Sequence, residues 1–139
     1  HRVDELLDLV ELPRDFATRM PATLSGGQQQ RAGFARALAT APGLMLMDEP
    51  FGALDPVTRD ALGRAYRGLH DRLGLTSIMV THDMAEALLL ADRIIVMDKG
   101  RVVADGTARE LLAGGAGAIA DALIAVPRAQ AELIRDMLS

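Results

Sequence analysis

The stretch Leu24-Ser25-Gly26-Gly27-Gln28-Gln29-Gln30-Arg31 decides how this chain is read. Ser25 followed three residues later by Gln28 fits a capping box, in which each side chain bonds the other residue's backbone N–H. A helix is therefore expected to open at Ser25 and to run to about Thr40, with Phe34, Ala35 and Leu38 facing inward. Gly26 and Gly27 leave the N–H groups of the first turn uncovered by side chains. Those N–H groups, at the positive end of the helix dipole, make a ready anion site. Ser-Gly-Gly by itself fits an ordinary capped helix equally well, so the reading depends on what surrounds it.

Downstream, Pro42-Gly43 is a turn, and Leu44-Met45-Leu46-Met47 is a continuous apolar run. Such a run is expected of a strand buried on both faces of a parallel sheet. It ends in two adjacent carboxylates, Asp48 and Glu49, and acids at the carboxyl end of such a strand lie where α/β sheets bind ligands. After Pro50-Phe51-Gly52-Ala53-Leu54, Asp55 caps a new helix with Pro56 at its first position. That helix is expected to reach Leu73, burying Leu62, Ala65, Tyr66 and Leu69, and Gly74 stops it. Thr76 to Val80 reads as the next strand. Strand, helix and strand in this order imply parallel pairing through a right-handed crossover. Thr81-His82-Asp83 follows the second strand directly.

Three segments in this order resemble the motifs of the ATP-binding-cassette (ABC) ATPases. Leu24 to Arg31, followed by Ala35-Arg36-Ala37-Leu38, resembles the signature motif. Leu44 to Glu49 resembles the Walker B strand, and Phe51 to Asp55 the D-loop. Thr81-His82-Asp83 resembles the switch histidine. The likeness covers roughly Leu12 to Leu112. No Gly-x-x-x-x-Gly-Lys-Ser/Thr occurs in the 139 residues, so the phosphate-cradling P-loop is not among them. The resemblance implies an α/β fold: part of a P-loop NTPase core with a mainly parallel sheet, the end of the helical signature-motif subdomain, and a helical C-terminal tail. The implied divisions are residues 1–40, 41–112 and 113–139.

The resemblance also implies roles. Asp48 would orient Mg2+, in keeping with a hard cation's preference for oxygen. Glu49 would polarise the attacking water, and His82 would contact the γ-phosphate of ATP, a task that suits imidazole because it donates without permanent charge. Ser25, Gly26, Gly27 and Gln28 would meet the ATP of a second ATPase subunit in a head-to-tail dimer, and Asp55 would touch across that dimer. The segments look most like those of bacterial importer ATPases, with glycine betaine, choline or another osmoprotectant as the expected solute. Transmembrane permease subunits, and indirectly a solute-binding protein, would be the partners, at the cytoplasmic face of the membrane. In related P-loop ATPases the P-loop strand lies between the strand before the switch histidine and the next core strand. The 139 residues are thus expected to leave a gap in the sheet and to be inactive alone. Two other readings are a non-enzymatic half-cassette and a non-transport ABC ATPase of DNA repair or translation. The second is disfavoured by the absence of heptads and basic patches.

The flanks read as supporting structure. Arg2 to Glu11 is expected to be an amphipathic helix burying Val3, Leu6, Leu7 and Val10, and ended by Pro13. Arg14 to Thr23 is a short polar link. Met84 to Ala91 reads as a short helix. Arg93 to Asp98 and Arg101 to Ala104 read as strands around the turn at Asp98-Lys99-Gly100, and Asp105-Gly106-Thr107 as a second turn. Thr107 caps a helix through Leu112, and Gly114 to Gly117 is a break. Two helices divided at Pro127 are expected after that, the second burying Leu133, Ile134 and Met137.

Composition bounds the rest. Half the residues are hydrophobic but only 3% are aromatic, so an aliphatic core is expected. The net charge of -4 argues against a nucleic-acid surface, which needs clustered Lys and Arg. With no cysteine, disulfides and thiolate metal sites are excluded. The uncharged, Gly- and Ala-rich stretch Leu111 to Ala120 is too short to span a bilayer. The chain starts with His, so residue 1 is not expected to be a native start.

Overall fold

The first unit, 1–81, is built around one strand–helix–strand crossover; the second, 82–139, around one hairpin. The computed structural model describes residues 2–138.

In the first unit, α1 (Arg2–Leu9) is followed by two short 3-10 turns, Arg14–Thr18 and Pro21–Thr23, then α2 (Gly26–Ala39), β1 (Leu44–Asp48), α3 (Pro56–Leu73) and β2 (Thr76–Val80). β1 and β2 pair in parallel, from Leu44 opposite Thr76 to Asp48 opposite Val80. This is the expected crossover. α3 starts where its sequence signals place it: Asp55 Oδ1 accepts from the N–H groups of Val57 and Thr58 at 3.1 and 3.0 Å. It stops at Gly74, whose φ of 62° suits a residue without a Cβ. α1 ends two residues earlier than expected, and Val3 is exposed. Glu11 takes a left-handed φ of 54°, and Leu12 N–H donates back to Leu7 O, so the chain turns before Pro13 is reached.

The core of this unit is not aliphatic throughout. Phe34 of α2 meets Phe51 and Tyr66 edge-on, with ring centroids 6.0 and 5.2 Å apart. Phe51 is fully buried. A low aromatic count says nothing about where the few rings go, and here three of them meet. Leu6 and Leu7 of α1, Val10 just after it, Leu38, Leu62 and Leu69 complete the packing. Burial on both faces of β1 is not observed. Met45 and Met47 are buried, whereas Leu44 and Leu46 are 51% and 70% exposed. On β2, Ile78 opposite Leu46 and Val80 opposite Asp48 are each 57% exposed. α2 and α3 supply apolar side chains to one face only, and no described residue covers the other.

In the second unit, α4 (Met84–Leu90) precedes the antiparallel strands β3 (Ile94–Asp98) and β4 (Arg101–Gly106), then α5 (Ala108–Ala113) and α6 (Ala118–Met137). A bulge between Val96 and Met97 shifts the register, leaving Val103 as the extra residue. β4 runs on through Asp105 and Gly106, so the second turn expected there is part of the strand. Arg93 holds Asp105 by an ion pair at 2.7 Å. Ile94, Val96, Leu111, Ala120 and Ile124 form the core.

The tail is one helix, not two. Pro127 lies inside α6; proline's fixed φ is helical and its cost is one lost hydrogen bond and a crowded preceding turn, which bends a helix without having to end it. Leu133, Ile134 and Met137, expected to be buried, are 57%, 60% and 73% exposed. Their spacing reports an apolar stripe but not what covers it. Among the described residues, β1 and β2 form one two-stranded sheet and β3 and β4 another.

Candidate nucleotide site

The capping box forms as read. Gln28 N–H donates to Ser25 Oγ at 3.3 Å, and Ser25 N–H donates to Gln28 Oε1 at 3.0 Å. The Gln28 side chain is thus engaged by its own helix end. Ser25 and Gly26 are exposed, and a methyl group at Gly26 would meet nothing within 4 Å. The first turn of α2 is open on that side, as a site for an anion must be.

Four consecutive side chains, about 100° apart around α2, tie its start to four neighbours. Gln28 closes the cap. Gln29 Nε2 donates to the carbonyls of Pro21 and Leu24, at 3.1 and 3.2 Å. Gln30 Nε2 donates to Glu49 O at 2.8 Å, and its Oε1 accepts from Ala53 N–H at 3.2 Å. Arg31 Nη1 donates to Glu11 O at 2.8 Å. Gln30 has no sequence signal of its own beyond the run it belongs to. Its partners lie 19 and 23 positions away, and no local spacing announces such a bond. The glutamine run was the one available signal.

Asp48 is exposed at the end of β1, and Glu49 is half-buried. Glu49 N–H donates to Val80 O at 2.8 Å, extending the ladder by one residue. Its φ is then 46°, a left-handed conformation that costs a residue with a Cβ roughly 1–2 kcal/mol. Glu49 O accepts from Gly52 N–H at 3.2 Å as well as from Gln30. Pro50, Phe51 and Leu54 are buried beneath this turn. Arg59 Nη2 donates to Leu54 O at 3.2 Å. A Cβ at Gly27 would lie 3.4 Å from Leu54 Cδ2 and 3.6 Å from Ala53 O, so the glycine-rich start of α2 rests on the 49–54 turn.

Ser25, Gly26, Gly27, Gln28, Asp48, Glu49 and Asp55 therefore lie in one unit, in three segments joined through Gln30 and that turn. Asp55 is committed locally: N–H bonds, first from Thr58 and then from Val57, hold its carboxyl below the usual carboxylate range. His82 is exposed and is the first residue of the second unit, two positions after β2. Among the described residues no cluster of three or more His, Cys, Asp or Glu could hold a metal by itself. Mg2+ is usually bound through one or two carboxylates together with phosphate oxygens and waters, and the exposed Asp48 fits that kind of site.

Comparison with known proteins identifies the family. The family model described as ABC transporter matches residues 1–52. A carnitine transport ATP-binding protein of Listeria monocytogenes is 51% identical over 127 residues, 91% of this chain and 32% of that protein. The chain belongs to the ABC ATPase family. A sulfate/thiosulfate import ATP-binding protein of Chromobacterium violaceum is 56% identical over 111 residues, 80% of this chain and 30% of the relative. This cassette sequence therefore spans about a third of the length of the curated relatives it matches. Among solved structures, the dimeric post-hydrolysis state of the cassette MJ0796, bound to ADP and Pi, is 40% identical with a TM-score of 0.72, over 78% of this chain and 46% of that one. The fold is accordingly α/β, a partial P-loop NTPase cassette with parallel strands.

Proposed function

We propose that this cassette sequence is part of the ATP-binding and ATP-hydrolysing subunit of an importer. One observation carries the reading: the open N-terminus of α2 and the strand-end pair Asp48 and Glu49 are fastened into one unit through the 49–54 turn. The turn thereby fixes the spacing between two half-sites, one for each nucleotide of a head-to-tail pair, and phosphoryl transfer, whose catalysis is mostly positioning and electrostatics, depends on such spacing.

In this reading Asp48 holds Mg2+, which neutralises charge on the phosphates. Glu49 accepts a hydrogen bond from the attacking water, and His82 donates to the γ-phosphate. Ser25, Gly26, Gly27 and Gln28 face the nucleotide of a second subunit, with Asp55 at the contact between the two. Residues 1–40 belong to a helical subdomain, 41–112 to the catalytic core and 113–139 to a tail. The partners are permease subunits, and through them a solute-binding protein, at the cytoplasmic face of the membrane. No described helix is long and apolar enough to cross a membrane.

The solute we propose is a quaternary ammonium osmoprotectant such as glycine betaine or choline. The carnitine relative, whose named solute is a quaternary ammonium compound, supports this class. The sulfate/thiosulfate relative, similar at a comparable identity, is the competing solute class.

Glu49→Gln in the full-length subunit tests the reading. ATP should still bind, while turnover should fall by at least about a hundredfold, on the scale of a lost catalytic base. Turnover near that of the parent removes Glu49 from its role.

A further inference from the structure

We propose that Gln30 is a positioning residue that locks the Glu49–Ala53 turn, so that the start of α2 and the Glu49 carboxylate behave as one rigid piece. The proposal rests on the reading in which Glu49 polarises the attacking water. Gln30 lies one helical turn inside α2 and is partly buried. Its amide spans the turn, Nε2 donating a hydrogen bond to Glu49 O at 2.8 Å and Oε1 accepting one from Ala53 N–H at 3.2 Å. One orientation of the amide satisfies both bonds, and the reverse orientation satisfies neither.

The turn needs such a clamp. Glu49 has a left-handed φ of 46°, and a non-glycine residue stays there only where its surroundings over-determine it. On its N-terminal side the β2 ladder does so, through the bond to Val80 O at 2.8 Å. On its C-terminal side the Gly52 N–H bond is longer, at 3.2 Å, and comes from within the turn itself. Gln30 is the link from Glu49 O to a separate element. Without it Glu49 O keeps the bond from Gly52 N–H but loses its tie to α2, so the backbone that carries the carboxylate is held less firmly. Displacement of about 1 Å at a reacting group is enough to cost on the order of a hundredfold in rate.

A merely structural residue would lower stability and nucleotide affinity together; a positioning residue lowers kcat and spares KM. In the full-length subunit, Gln30→Ala should lower kcat by on the order of 10- to 100-fold and leave the KM for MgATP within about twofold, the signature of an interaction that acts on the transition state. Amide exchange at Ala53, followed by mass spectrometry or NMR, should speed up about tenfold, the worth of one hydrogen bond. Gln30→Glu separates the two bonds: its carboxylate still accepts from Ala53 N–H but cannot donate to Glu49 O. Slow Ala53 exchange with a kcat as low as that of Gln30→Ala is expected. Full turnover by either variant, or unchanged Ala53 exchange in Gln30→Ala, overturns the proposal, as does a matched loss of kcat and nucleotide affinity. An inactive parent subunit would instead overturn the ATPase reading, and the Ala53 exchange rates then decide by themselves whether Gln30 clamps the turn.

Discussion

At the scale of single residues, the first unit depends on a few side chains that do more than fill space. Phe34 is the clearest. It is 7% exposed and touches both Phe51 and Tyr66 edge-on, so it links α2, the 49–54 turn and α3. Phe34→Ala should destabilise the unit by about 3–5 kcal/mol, read as a lower urea midpoint. Phe34→Leu, which keeps most of the volume, should cost clearly less. Equal losses would mean that ring geometry, not volume, sets the packing. Residues of this scale were unevenly legible. Ser25 and Gln28 could be paired from sequence because their bonds run to positions three apart. Gln30 and Phe34 reach partners far along the chain, and nothing local distinguishes Gln30 from Gln29. Likewise the left-handed Glu49 has no sequence signature, because such conformations are normally announced by glycine or asparagine.

At the scale of elements, caps and stops were readable and faces were not. α3 illustrates the first half: its Asp55-Pro56 start and Gly74 stop lie where the sequence signals put them. The Asp55 cap has a pH dependence whose sign follows from its partners. N–H bonds from Thr58 and Val57 hold its carboxyl low. The stabilisation is therefore fully present above the unfolded value of about 3.9, and is lost as pH falls from there through the lower folded value. Amide shifts of Val57 and Thr58 should move together in that acid window. Asp55→Asn, which caps without titrating, should flatten the response. α6 illustrates the second half. Proline was read as a boundary, yet the helix passes through Pro127. Pro127→Ala should raise stability and helical content, with about 3 kcal/mol as the upper bound set by intrinsic propensity. A fall in the melting temperature would instead show that the bend at Pro127 is needed for packing. The apolar stripe of Leu133, Ile134 and Met137 was also visible in sequence, but periodicity cannot say whether an apolar face is covered.

At the scale of the whole molecule, the same distinction becomes a prediction about association. The apolar run of β1 was read as two-sided burial, and its composition suits that reading. One face is nevertheless bare, with Leu44, Leu46, Ile78 and Val80 side by side on the paired strands. The outer edge of β2 also lacks a ladder partner among the described residues. An apolar face beside an unpaired edge is a template for joining another chain. The 139-residue chain studied by itself should therefore self-associate as its concentration rises, seen in sedimentation velocity, and sulfate should strengthen the effect by favouring apolar burial. Leu46→Glu combined with Ile78→Lys tests the cause directly. Both side chains are already exposed, at 70% and 57%, and they lie opposite each other in the β1–β2 register. The double substitution should thus change folding stability little, within about 0.5 kcal/mol per site for exposed positions, while returning the chain to monomer. Association that survives it would locate the contact elsewhere, for instance on the outer face of α6. A parent chain that stays monomeric, with uniformly slow amide exchange in β2, would show that the exposed strand face is stable in water without a covering layer.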